Sequence, residues 1–120
     1  MDHVIIVILE ISSEVIMHII VKKKMIQARE TKWGTFAWPI TDIIDVIMYY
    51  VTNNQIVLGG DILNEELEYT YDNWYYELDN AQNKIENSRC SIEKAKIYIS
   101  NYIKSNGGAF YVDIVISNVF

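Results

Sequence analysis

One cysteine, Cys90, is all the sequence offers for disulfide chemistry, and one cysteine cannot close an internal bridge. Nothing therefore marks the chain for an oxidising compartment, and the cytoplasm is the expected location. The thiol also lacks activating neighbours, because the two histidines, His3 and His18, are remote from it in sequence, so no catalytic residue is assigned to it. Proline is as scarce, with Pro39 alone, while half of the residues are apolar and isoleucine, valine and tyrosine are heavily used. Such a composition suits a packed globule with much sheet rather than a disordered segment. At 120 residues the chain is expected to fold as one domain, 1–120, without a metal or disulfide staple.

Positive charge is the other shortage. Sixteen Asp and Glu against ten Lys and Arg leave a formal charge of −6. That is the wrong sign for binding nucleic acid and the right sign for a basic macromolecular partner. The charges are also segregated. Lys22, Lys23, Lys24, Arg29 and Lys32 fall within eleven positions, whereas "GGDILNEELEYTYDNWYYELDN", residues 59–80, holds seven carboxylates and five aromatic residues with no lysine or arginine. One acidic face is expected.

The long apolar run, "VIIVILEISSEVIMHIIV" followed by "KKK", has the length of a membrane span. Glu10 and Glu14 argue against one, since each carboxylate near the bilayer centre would cost about 3 kcal/mol. The order of charge and apolar run is also wrong for a signal peptide, so no membrane is expected as a partner. The β-branched content suggests a strand or short helix over 4–11 and a second strand-like run from Val15 to about Met25; helix and strand both remain open there.

Residues 26–40 lack a helical period and read as strand or loop presenting Trp33, Phe36 and Trp38 to the core. From Thr41, a candidate cap, Ile43, Ile44, Ile47, Met48 and Val51 recur at helical spacing, with Asp42 and Asp45 favourably near the N-terminus and "TNNQ" ending the helix. "QIVLGGDIL" reads as a strand in which Gly59 and Gly60 mark a bulge, a bend or a close backbone approach. "LEYTYDNWYY" alternates Leu67, Tyr69 and Tyr71 against Glu68, Thr70 and Asp72, a half-exposed strand paired with the previous one around "NEE". Residues 78–90 show no clear period. A helix capped by Ser88 or Ser91 then carries an apolar stripe of Ile92, Ala95, Ile99, Tyr102 and Ile103, ended by the glycines of "SNGG". "AFYVDIVISNVF" closes the chain as a central strand. The fold class is α+β, a mainly antiparallel sheet with two principal helices packed on one side.

Chemical motifs are few. "DILNEELEYTYD" lacks the alternating ligands and central glycine of a calcium loop, and no zinc spacing, phosphate-cradling loop or triad pattern occurs, so neither metal nor cofactor is expected. Gly59-Gly60-Asp61 also occurs in the nucleotide cyclase signature, but Ile62 stands where that signature has an acid and the chain is too short for that domain. The acidic stretch has two readings. It is either a plain hairpin with tyrosines inward and carboxylates outward, or a docking face in which tyrosine and tryptophan anchor a partner that the carboxylates steer.

"VLGGDIL", "YTYDNWYYE", the "SIEKAKIYISNYI" helix and the terminal "FYVDIVIS", preceded by "ILEISSEV" and a Trp-Pro-led helix, together resemble a small α+β immunity-protein family. That family belongs to bacterial polymorphic-toxin and contact-dependent growth inhibition systems and is marked by a GGD motif and a tryptophan. The resemblance covers roughly residues 37–117; residues 16–36 and 79–88 read as insertions relative to it. It implies a non-enzymatic protein that binds the C-terminal toxin domain encoded beside it, for instance a nuclease, and blocks its active site or substrate access. It also implies that Gly59, Gly60, Asp61 and Trp74 are fold determinants, with Asp61 capping backbone. Charge and aromatic content, not the resemblance, nominate Glu65, Glu66, Glu68, Asp72, Tyr75, Tyr76, Glu77 and Asp79 as the surface that meets a basic toxin. Two other classes stay open: a self-associating module forming a homodimer through an open strand edge, and a hydrolase using a carboxylate pair such as Asp61 and Asp72.

Overall fold

The computed structural model describes the backbone of residues 4–11, 14–21 and 24–117 and the side chains of residues 25–117. Lys22 and Lys23 of the basic cluster, and residues 118–120 of the expected last strand, lie outside them. The ambiguous N-terminal run is strand: β1 (Val4–Ile11) pairs antiparallel with β2 (Glu14–Val21), and β2 with β3 (Lys24–Gln27). Two residues on, β4 (Arg29–Glu30) pairs with β5 (Phe36–Pro39) and starts a second sheet. That sheet also takes β6 (Ile56–Leu63), β7 (Tyr69–Tyr75) and β8 (Tyr111–Ser117), in the order β4-β5-β8-β6-β7. Every described pairing in it is antiparallel, and the terminal strand is central. With α1 (Ile43–Thr52) and α2 (Lys84–Asn106), the architecture is α+β.

Both helices pack into one core. Ile43, Val46 and Ile47 of α1 and Ala95, Ile99 and Tyr102 of α2 join Trp38, Val57, Ile62, Trp74 and Val112 of the sheet, with Ile26 and Ala28 closing the end nearest β3. These sheet residues occupy one face by register: Trp38 lies opposite Val112, Val112 opposite Ile62, and Gly60 opposite Trp74. This inner face carries the helices; the other is termed the outer face.

Several details depart from the sequence-based expectations for physical reasons. Trp33 is 51% exposed rather than in the core, because the turn between β4 and β5 folds it over the outer face, where its ring lies 4.6 Å from that of Tyr69. Thr41 is not the cap of α1: a 3-10 turn, Ile40–Asp42, follows Pro39 and puts Thr41 inside it, so Asp42 becomes the N-cap, its side chain not bonded to the α1 N–H groups. α2 begins well before Ser88, at Lys84, with Asn83 Oδ1 accepting from the Glu86 N–H at 2.9 Å. Its first turns escape a periodicity search because their buried positions are polar. Asn87 is 1% exposed, accepts from Tyr76 Oη and the Asp79 N–H, and donates to the carbonyls of Asp79, Gln82 and Asn83. One turn on, the buried Ser91 hydroxyl donates to the Val57 carbonyl instead of capping the helix. The stripe Asn87, Ser91, Ala95, Ile99 is thus continuous in space although only its later half is apolar.

Candidate functional site

The acidic stretch is the hairpin β6–β7 and the loop after it. Asn64 shapes the turn, its Oδ1 accepting from the N–H groups of Glu66 and Glu68 and its Nδ2 donating to Glu68 Oε1. Leu67 there has φ 61°, a left-handed conformation. Pairing runs Leu63 to Tyr69 and Asp61 to Asn73, so β7 spends two more residues than β6 over the same span. The excess is a bulge at Tyr71, whose φ is 71° and whose side chain is 89% exposed. The expected inward row of tyrosines is therefore not formed: Tyr69 lies on the outer face with Trp33 and Asp113, and Tyr71 stands out in the bulge.

Gly59 and Gly60 lie where β7 comes closest. A Cβ on Gly59 would sit 2.1 Å from the Trp74 carbonyl oxygen, and one on Gly60 2.7 Å from the Trp74 ring and 2.8 Å from Val112 Cγ1. Glycine here makes room, for backbone at one position and for an indole at the next. Trp74 is 5% exposed and packs on Tyr98 of α2 with ring centroids 5.4 Å apart.

The nominated acids and tyrosines do not form one patch. Glu65, Glu66 and Glu68 are exposed at the turn, while Glu77 and Asp79 lie past the far end of β7, roughly 20 Å away by strand rise. Asp72 turns to the helices, its Oδ2 accepting from Tyr102 Oη at 2.8 Å. Burial first, then this hydrogen bond, raises the Tyr102 phenol above its ordinary pKa. Tyr76 is half-buried and tied to Asn87. Of the set, Tyr75 alone stands on the outer face, 57% exposed and opposite Gly59.

The outer face has its own constellation. Asp61 on β6 is directly opposite Asp113 on β8 and Asn73 on β7. Asp113 Oδ2 accepts from Thr35 Oγ1 at 2.7 Å and from Tyr69 Oη at 3.2 Å. Asp61 accepts no hydrogen bond from the described residues, so it caps no backbone there. Partial burial and, second, the Asp113 charge push its carboxyl above the usual range. Beyond them lie Tyr75 and Val115, and at the other end Trp33, Tyr69 and Tyr111 cover the fully buried Leu63. Asp113, Val115 and Thr35 were not singled out from the sequence. The alternation Tyr111, Asp113, Val115 was the available signal, masked by β-branched residues on both faces of a central strand.

Asp61 and Asp72 face opposite sides of the sheet, so the two do not converge in a pocket. No group of three potential metal ligands occurs among the described residues, and no described helix is long and apolar enough to cross a membrane.

A carboxyl whose folded pKa exceeds its unfolded value of 3.8 binds more protons in the folded state, so its ionisation works against the fold as pH rises through the folded pKa. Asp61→Asn is therefore expected to raise the Tm slightly at pH 7, solvent screening keeping the gain small, and the gain should vanish as pH falls below the unfolded value. A lower Tm for the variant at pH 7, by calorimetry, would show instead that the carboxylate stabilises the native state.

Residues 27–116 match the model of a protein family described as Immunity protein 40. No curated protein and no solved structure matches the chain.

Proposed function

Because the chain belongs to the Immunity protein 40 family, we propose that it neutralises a bacterial toxin domain by binding it one to one and covering its active site or its path to substrate. The observation that carries this reading is the family match over 90 of the 120 residues, which takes in both helices and the sheet from β4 to all but the last residue of β8. The reading requires no catalysis. It places the protein in the cytoplasm, as part of a polymorphic-toxin or contact-dependent inhibition system, beside a C-terminal toxin domain that is basic if it is a nuclease.

The charge supports this choice of partner. At −6, with exposed Glu65, Glu66 and Glu68 at the hairpin turn, the protein would draw a basic domain towards it and discourage nucleic acid. Self-association through the β7 edge finds less support. The Tyr71 bulge interrupts that edge, and Lys94 Nζ donates to the Tyr75 carbonyl.

The test is co-purification with the product of the adjacent toxin gene, and growth of cells expressing that product with and without this chain. One-to-one capture with rescued growth is the expected result; absence of both capture and rescue would refute the proposal. In the same assay, Glu65→Lys, Glu66→Lys and Glu68→Lys combined should slow association about tenfold and flatten its salt dependence. Unchanged kinetics would remove the turn from the encounter surface.

A further inference from the structure

We infer that the uncovered outer face of the sheet receives the toxin, and that the toxin places a lysine or arginine side chain between Asp61 and Asp113. This rests on the immunity reading and deepens it by naming the surface and the chemistry that meets it. Like charges directly opposite each other on neighbouring strands weaken a sheet, yet these two carboxylates face each other across β6 and β8. Among the described residues no lysine or arginine pairs with either. The cations on this side are engaged elsewhere: Arg29 Nη1 donates to the Glu65 carbonyl at 2.6 Å with its guanidinium 4.9 Å from the Tyr111 ring, and Lys32 Nζ lies 4.7 Å from the Trp33 ring.

The surroundings suit an incoming cation. Thr35 and Tyr69 hold Asp113 by one oxygen, Oδ2, which orients the carboxylate and leaves Oδ1 for another donor. Around the pair stand Trp33, Tyr75 and Val115, 51%, 57% and 44% exposed, on a sheet that the helices cover only from behind. Aromatic rings of this kind accept the flat face of a guanidinium and supply contact area with few rotatable bonds to freeze. Strands fix Asp61, Tyr75, Asp113 and Val115, so little ordering of these would be needed on binding. A second copy of the chain is a poor occupant, because it would set two more carboxylates against the first two. The groove along α2 near Ile97 and Tyr98 is apolar too, but its one charged lining residue, Lys94, already donates to the Tyr75 carbonyl.

The experiment measures affinity for the toxin domain encoded beside this chain, with wild type, Asp61→Asn, Tyr75→Ala and Glu66→Lys each checked for Tm. Asp61→Asn and Tyr75→Ala are expected to weaken binding about 10- to 100-fold, chiefly through faster dissociation, while keeping the wild-type Tm or exceeding it. Glu66→Lys should alter association only. A folded Asp61→Asn and a folded Tyr75→Ala that both bind as tightly as wild type would overturn the inference and leave the immunity reading standing. A wild-type chain that neither binds the domain nor rescues growth would bring down that reading and this inference with it.

Discussion

Gly59→Ala is expected to cost more than about 3 kcal/mol and to leave the protein largely unfolded at modest denaturant concentrations. Overpacking costs about 1–3 kcal/mol when neighbouring side chains can rotate aside. Here the atoms in the way are the Trp74 carbonyl oxygen at 2.1 Å and carbon at 3.0 Å and Tyr75 Cα at 3.0 Å, all β7 backbone, so relief requires β6 and β7 to part. Parting them breaks the pairing that holds the edge strand and withdraws Trp74 from the core. Set against a total stability of about 5–15 kcal/mol, such a loss is severe. The measurement is a urea midpoint by circular dichroism. A loss below about 1 kcal/mol would mean that the strands at Gly59 shift without penalty. Gly60→Ala should be milder, since the indole and Val112 can yield where backbone cannot.

Trp74→Ala should cost about 3–5 kcal/mol, the range for truncating a large buried aromatic. Its ring fills the space above Gly60 and lies against Tyr98, which stacks in turn on Tyr102. Loss of the ring would open a cavity between β7 and α2. Trp74→Phe should lose less than half as much. The indole Nε1 is buried without a hydrogen-bond partner among the described residues, a defect worth about 1–3 kcal/mol that phenylalanine removes. Equal losses for the two variants in chemical denaturation would contradict this. Any loss of toxin capture by these variants should follow the unfolded fraction and recover on cooling, unlike the loss expected for Asp61→Asn.

Much of the scaffold was legible because local pattern and tertiary environment agree. The stripe from Ala95 to Tyr102 and the spacing of Ile43 and Ile47 in α1 each report burial against one partner, and the β-branched run of β8 reports a central strand. The start of α2 was not legible, because Asn87 and Ser91 are buried by hydrogen bonds to groups distant in the chain, which no apolar period records. Trp33 was misplaced for the complementary reason: its size suggests the core, and only the fold of the β4–β5 turn puts it on the outer face.

The candidate surface divides in the same way. The sequence by itself determined that the protein is acidic, that carboxylates and aromatics concentrate in residues 59–80, and that Gly59 and Gly60 need a special neighbour. Which carboxylates stand together was decided only by strand order and register. β8 inserts between β5 and β6 and brings Asp113, more than fifty residues away in sequence, opposite Asp61, while the bulge at Tyr71 and the turn at Asn64 disperse acids that adjoin one another in the chain. Charge is a sum over residues and survives any fold. Adjacency across a sheet depends on hydrogen-bond register between distant segments, and a single residue of slip would move Asp61 to the face that the helices cover.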